Sequence, residues 1–109
     1  SLEGAAEAFN VLSEFPGRRI VVTPGLSADL PKAEEMNYAL GTQMKGCVDF
    51  AILVGDRRAV RPILKGILST GFPRSAVRVV ADSDDAEAAL DEVASEGDTV
   101  LYECECEEA

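Results

Sequence analysis

The sequence predicts an α/β domain in which helices cover both faces of a mainly parallel, four-stranded sheet. Four short apolar runs alternate with stretches whose apolar residues recur at helical spacing, and chains with this alternation form parallel sheets through right-handed crossovers. The run FAILV at residues 50–54 is apolar throughout, as a strand buried on both faces requires. A length of 109 residues fits a single domain, so we expect one three-layer, Rossmann-like unit spanning residues 1–109.

The first half of the chain predicts two helices and two strands. Apolar residues at intervals of three or four indicate helices, and β-branched or wholly apolar runs indicate strands. In chain order these are a helix over residues 2–14, a strand over 19–23, a helix starting at Pro31 with Ala33, Met36, Leu40 and Met44 on its inner face, and a strand over 50–54. Pro16-Gly17 and Pro24-Gly25 end the first helix and the first strand, because both pairs favour turns.

The second half predicts the same alternation. Its elements are a helix with Val60, Ile63, Leu64, Ile67 and Leu68 inward, a strand over 77–81, a helix capped by Ser83 or Asp84 with Ala86, Ala89, Leu90 and Val93 inward, and a last strand from Thr99 to Tyr102 or beyond. Pro62 falls near the first turn of its helix, where proline is tolerated. Gly71 and Gly97-Asp98 return the chain from helix to strand.

The charge of the chain restricts its partners. The formal net charge is −10, which argues against nucleic acid or an anionic membrane as a partner. From Ser83 onward the sequence has eleven acidic residues and no basic one, so the acidity belongs to the last helix and the tail. No apolar run approaches the roughly 18 residues that a membrane span needs, and we expect no such span.

Cysteine and histidine usage restricts the chemistry. The three cysteines, Cys47, Cys104 and Cys106, form no paired framework, which indicates a reducing compartment. Cys104-Glu105-Cys106 could ligate a metal, but a C-x-C motif without histidine is weak, and a strand end or acidic terminus is the favoured interpretation. We predict no metal site, and we interpret Cys47 as a small buried hydrophobe. Because histidine is absent, catalysis by this segment alone would depend on carboxylates, lysines or thiols.

The expected strand order, 3-2-1-4, places a candidate site at one edge of the sheet. Open parallel sheets bind ligands at the carboxyl ends of their strands, beside the point where the strand order reverses. That point lies between the first and last strands, where we expect Thr23, Pro24, Gly25 and Ser27 to meet Glu103. A plain strand-to-helix turn is the alternative for these loop residues. The chain contains neither G-x-G-x-x-G nor G-x-x-x-x-G-K-[ST], so it has no nucleotide phosphate loop of its own.

Two further groups of charged residues each have a functional and a structural interpretation. Arg57, Arg58 and Arg61 cluster at the start of the third helix, where they would either meet a phosphate or carboxylate or form a solvated face, the commoner case. Three aspartates stand at or just beyond strand ends and would be the residues of a small independent enzyme: Asp29, Asp56 and Asp82. That hypothesis is weak, because the chain shows no paired nucleophile and base.

A longer pattern carries a family resemblance. FPGRRIVVTPGL, then Glu34-Glu35, Asn37 and Gly41, then VDFAILVGDR, resemble the C-terminal domain of the Mur ligase family. The similarity is greatest to members that add D-alanyl-D-alanine to the UDP-muramoyl tripeptide and to their Gram-positive-type relatives. GFPRSAVRVVADSDDAEAAL and GDTVLYE continue it over nearly the whole chain. The sequence departs from the family pattern at Ser27-Ala28-Asp29-Leu30 and at Cys104-Glu105.

The resemblance implies a cytoplasmic, three-domain, ATP-dependent amide ligase of peptidoglycan precursor synthesis. In this family the first domain binds the UDP-muramoyl peptide, and the central domain binds most of ATP and Mg. The third domain closes over the site and helps to hold the incoming amino acid or dipeptide, which attacks an acyl phosphate. On this chain, the residues that the resemblance places at the cleft are Thr23, Pro24, Gly25, Ser27 and Glu103. The resemblance assigns no proton-transfer residue to them, and it implies that the domain alone is inactive. The alternatives are an inactive paralogue, or a binding module whose acidic helix and tail recruit a basic partner.

Overall fold

The computed structural model describes residues 1–104, within which strands and helices alternate as predicted. In chain order the elements are α1 (Leu2–Leu12), β1 (Arg19–Gly25), α2 (Ala33–Gln43), β2 (Phe50–Val54), α3 (Arg57–Ser69), a short 3-10 helix (Arg74–Ala76), β3 (Val77–Val80), α4 (Ser83–Val93) and β4 (Thr99–Cys104). The predicted α/β class is therefore confirmed.

The sheet has the strand order β3-β2-β1-β4, and every neighbouring pair is parallel. In its register Val22 of β1 stands beside Ile52 of β2 and Tyr102 of β4. The predicted order 3-2-1-4 is confirmed, and the carboxyl ends of β1 and β4 lie side by side.

The two faces of the sheet are covered unequally. Helices α1, α2 and α3 pack on one face and α4 alone packs on the other. Because side chains alternate along a strand, Val21 enters the core under the three helices, whereas Ile20 and Val22 enter the core under α4. Cys47 is half-buried against the larger core, in line with its predicted packing role.

Two glycines allow α2 and α3 to approach closely. A Cβ on Gly66 would overlap the carbonyl group of Tyr38, and a Cβ on Gly41 would lie 2.7 Å from the backbone nitrogen of Ile67. Real Cβ atoms do not make such contacts, so both positions require glycine for packing. The close contact holds the start of α3 next to the loop that leads into α2.

Several predicted boundaries were wrong, among them the end of β3, which is Val80 rather than residue 81. Helix α2 begins at Ala33 rather than Pro31, because Lys32 adopts a left-handed conformation with φ 60° that a helix does not admit. The cap of α4 is Asp82, whose carboxylate accepts a hydrogen bond from the Asp85 amide at 2.9 Å, and not Ser83 or Asp84. Helix α1 ends at Leu12, two residues earlier than predicted.

Pro24-Gly25 was predicted to end the first strand, and the structure corrects this too. Strand β1 continues to Gly25, which pairs with Cys104, and its register against β4 shifts between Val22 and Gly25. Proline has no amide hydrogen for the ladder, so within a sheet it is confined to edges and bulges such as this one. Leu68, expected to face inward, is 36% exposed.

Within residues 1–104 no helix is both long enough and apolar enough to cross a membrane.

Candidate functional site

An open cavity lies at the carboxyl edge of the sheet, in front of β1 and β2. We call it the edge cavity; its volume is about 480 Å³ and it is lined by Pro24, Gly25, Leu26, Ser27, Ala28, Val54, Gly55, Asp56 and Ala59. Ligands of open parallel sheets bind at such an edge. Three predicted site residues, Pro24, Gly25 and Ser27, therefore share one concave surface with the loop that follows β2.

Asn37 holds the loop that forms this cavity. Its side chain is completely buried, its Oδ1 accepts a hydrogen bond from the Leu26 amide at 2.8 Å, and its Nδ2 donates one to the Leu26 carbonyl at 3.0 Å. A buried amide with both groups satisfied fixes its partner in one position. Helix α2 thereby sets the path of the chain directly after β1.

Gly25 completes this arrangement. Its φ is +76°, and an added Cβ would lie 2.5 Å from Ile63 Cδ1 and 2.8 Å from Asn37 Oδ1. The position therefore needs glycine both for its backbone conformation and for the space that α2 and α3 leave. Sequence reasoning recognised Asn37 and Gly25 as parts of a motif, but it did not predict that they are in contact.

Thr23 lies beneath the loop and does not line the edge cavity. It is 1% exposed, and its hydroxyl accepts a hydrogen bond from the Gly25 amide at 3.0 Å. Such a bond between a side chain and the backbone two residues on stabilises a turn. The structure thus gives Thr23 a supporting position, while Pro24 and Ser27 are the exposed members of the group.

Glu103 lies on the neighbouring strand, β4. It is half-buried, and the pairing of Gly25 with Cys104 brings it close to the bulge in β1. It does not line the edge cavity. Of the C-x-C motif, Cys104 is exposed and Glu105 and Cys106 lie outside the described residues. Within residues 1–104 no group of three or more Cys, Asp or Glu side chains is arranged to hold a metal ion.

A second cavity lies on the α4 face of the same edge. We call it the apolar cavity; its volume is about 270 Å³ and it is lined by Val22, Pro24, Val54, Ser83, Ala86, Glu87 and Tyr102. Tyr102 is 61% exposed, because one helix does not cover all four strands. The sequence analysis missed Tyr102 as a site residue; its place near the end of the last strand was the available signal.

The charged residues after β2 form an ion-pair group. Arg58 contacts Asp56 at 2.8 Å and Asp29 at 3.4 Å, and its hydrogen bond lowers the pKa of the Asp56 carboxyl. Asp56 also caps α3 by accepting a hydrogen bond from the Arg58 amide at 2.9 Å. Asp56 and Asp82 therefore serve as helix caps, and neither forms a pair with a nucleophile as the independent-enzyme hypothesis requires.

Four cationic side chains of α3 line a third cavity. We call it the cationic cavity; its volume is about 430 Å³ and it is lined by Ala28, Ala33, Glu34, Arg57, Arg58, Arg61, Pro62 and Lys65. The predicted arginine cluster is thus brought together on one concave surface. Lys65 extends the cluster, and the sequence analysis did not include it.

These features define a doubly wound α/β domain whose loops after β1 and β2 meet at the carboxyl edge of a four-stranded sheet. The chain belongs to the family described as "Mur ligase, glutamate ligase domain", whose model matches residues 1–104. The family resemblance inferred from the VTPG segment and its downstream Asn and Gly is confirmed at this level. A search of curated proteins gives no match.

Proposed function

We propose that this chain is the C-terminal domain of an ATP-dependent amide ligase of peptidoglycan precursor synthesis. In this role it closes over the active site and helps to position the incoming amino acid or dipeptide, with D-alanyl-D-alanine as the dipeptide we favour. The single observation that carries the proposal is the pair of hydrogen bonds between buried Asn37 and the backbone of Leu26, one in each direction. They hold the family's loop rigidly at the edge where a doubly wound sheet receives its ligand.

The domain's contribution is positioning and exclusion of water. The edge cavity presents the exposed hydroxyl of Ser27, the ring of Pro24 and the Asp56 carboxylate on one surface. The Asp56 carboxylate on this surface is held by Arg58, whose hydrogen bond lowers the pKa of that carboxyl. Holding an amine beside an activated acyl group supplies several kcal/mol of barrier reduction by orientation alone, roughly 7 or more in favourable cases.

The known binding features for ATP phosphates and for Mg lie outside the described residues of this domain. The described residues carry no glycine-rich phosphate loop and no group of three or more acidic or cysteine side chains arranged for a metal. The proposal therefore assigns ATP and Mg mainly to the central domain of the parent enzyme, and it assigns no proton transfer to this domain. Such an enzyme would act in the cytoplasm, where ATP and UDP-linked precursors occur together.

The proposal is tested with the full-length parent protein. Its gene should encode a G-x-x-x-x-G-K-[ST] phosphate loop upstream of this segment, and phosphate should be released from ATP only when a UDP-muramoyl peptide and an amine are both present. Ser27→Ala should raise KM for the amine several-fold while leaving KM for ATP unchanged. Ser75→Ala, at the opposite edge of the sheet, is the matched control. Absence of amine-dependent phosphate release would reject the proposal or identify an inactive paralogue.

The acidic surface of α4 favours a second candidate, a binding module for a basic partner. Asp84, Asp85, Glu87 and Asp91 are all exposed on this helix. This candidate predicts a gene without an ATP-binding domain. It also predicts a partner whose binding is lost when these four residues are changed to Asn or Gln and is kept when Ser27 is changed to Ala.

A further inference from the structure

The cationic cavity concentrates positive charge in a chain of net charge −10. Arg57, Arg61 and Lys65 follow one another at intervals of four along α3, so they project from the same side of the helix with a rise of about 6 Å between neighbours. All three are exposed and border the same concave surface of about 430 Å³. The candidate site consists of these three side chains. The start of α3 is not part of it, because Asp56 already caps this helix.

These three cations are not neutralised within the described part of the chain. The carboxylates of Asp56 and Asp29 both pair with Arg58, and no described carboxylate pairs with Arg57, Arg61 or Lys65. Glu34 is the one acid that borders the cavity. Like charges four residues apart destabilise a helix, so folding alone does not account for the row.

We propose that the cationic cavity binds a diphosphate group. Guanidinium groups match phosphate oxygens with two parallel hydrogen bonds each, and three unpaired cations match a ligand that carries several negative charges in a small volume. The volume of the cavity also admits a sugar attached to the diphosphate, and Ala28, Ala33 and Pro62 offer it an apolar wall. An extended acidic peptide is the alternative that the titration has to exclude.

This inference goes beyond the ligase proposal and does not depend on it. It names an anion site that the chain possesses by itself, separate from the edge cavity where the amine is proposed to lie. Ala28 borders both cavities, so a diphosphate bound here would lie next to the proposed amine position. If the chain does not bind a diphosphate, the ligation assay still tests the ligase proposal. If the ligation assay fails, the titration still tests the anion site.

The test is an NMR titration of the 109-residue chain with pyrophosphate, ADP and UDP, without divalent cations and at about 0.15 M salt, where surface charges are screened beyond about 8 Å. We expect saturable shifts at the amides of residues 57–65 and 33–34. Arg57→Gln and Arg61→Gln should each lower the affinity about tenfold, as loss of a charge-assisted hydrogen bond does. Glu34→Gln should raise it.

Lys45→Gln is the matched control, because it removes the same charge from an exposed position at the other end of α2. It should leave the affinity unchanged, and circular dichroism should show all variants folded. Equal binding of the three anions indicates recognition of the diphosphate alone, and preference for ADP or UDP indicates the nucleotide from which it comes. The proposal is overturned if none of them saturates, if inorganic phosphate or a poly-glutamate peptide binds as tightly, or if Lys45→Gln weakens binding as much as Arg61→Gln.

Discussion

Gly66 of α3 lies directly against the backbone of Tyr38 of α2, so closely that a Cβ on the glycine would overlap the tyrosine carbonyl group. This contact, with the reciprocal one at Gly41, sets the distance between the two helices that carry Asn37 and the cationic row. The geometry of both candidate sites therefore depends on a backbone contact between two helices.

We predict that Gly66→Ala destabilises the domain, because the new methyl group meets backbone atoms that cannot rotate away. Overpacking of this kind typically costs about 1–3 kcal/mol. The measurement is the free energy of unfolding from urea denaturation. Gly4→Ala is the control: it lies in α1, and the only atom near the new Cβ is the Ser1 hydroxyl oxygen at 3.2 Å, which caps the helix. It should change the free energy of unfolding by less than Gly66→Ala does. A Gly66→Ala variant as stable as the parent would contradict the inferred contact.

Asn37→Ala should loosen the loop after β1 as well as lower stability. It leaves the buried amide and carbonyl of Leu26 without partners, at a cost of about 1–3 kcal/mol for each group. Hydrogen exchange should show lost protection at the Leu26 amide beyond what the change in global stability explains. Thr42→Ala, in the same helix, removes a local bond to the Ala39 carbonyl at 2.7 Å and should leave Leu26 protected. Equal exchange at Leu26 in the two variants would reject this role for Asn37.

Gly25→Ala should cost more than Gly55→Ala. Both glycines have positive φ, +76° and +96° respectively, so both substitutions carry backbone strain of roughly 1–2 kcal/mol. Only at Gly25 does the added Cβ also meet Ile63 and Asn37; nothing lies within 4 Å of the one at Gly55. The difference between the two unfolding free energies measures the packing part alone, and we expect at least about 1 kcal/mol. Equal values would mean that the loop moves away freely.

Stability should fall as the solution is acidified, and two of the ion pairs that contribute to this fall are those of Asp98 and Asp49. The hydrogen bond from Arg18 lowers the pKa of the Asp98 carboxyl, and the hydrogen bond from Arg19 lowers that of Asp49. A carboxyl with a lowered folded-state pKa adds stability above its unfolded pKa of about 3.9. That stability is lost as the pH falls through the folded value.

The double variant Asp49→Asn/Asp98→Asn should therefore be less stable than the parent at pH 7 and should show a shallower decline below about pH 4. Thermal unfolding between pH 7 and pH 2 measures both effects. Asp91→Asn is the control, because Asp91 is exposed and has no ion pair among the described residues. If the double variant loses stability in acid as steeply as the parent does, other carboxylates control acid unfolding.

Sequence patterns predicted the elements and the strand order where a single requirement dominated. The apolar run FAILV has to be buried on both faces of a sheet. Strands of this kind that are joined by helices form a parallel sheet. The grouping of Pro24, Gly25 and Ser27 at the carboxyl edge followed from that topology. Lys32 and Asp82 were missed because a left-handed turn and the choice of a cap depend on local geometry that several sequences satisfy.

For this protein the sequence by itself determined the alternation of helices and strands, the parallel sheet and the edge at which its loops gather, because hydrophobic periodicity is a local property of the chain. The tertiary structure alone decided that Asn37 binds Leu26, that Thr23 is buried beneath the loop, and that Lys65 joins three arginines around one cavity. Those relationships join residues from different elements, and they depend on how closely α2 and α3 approach, which no local pattern encodes.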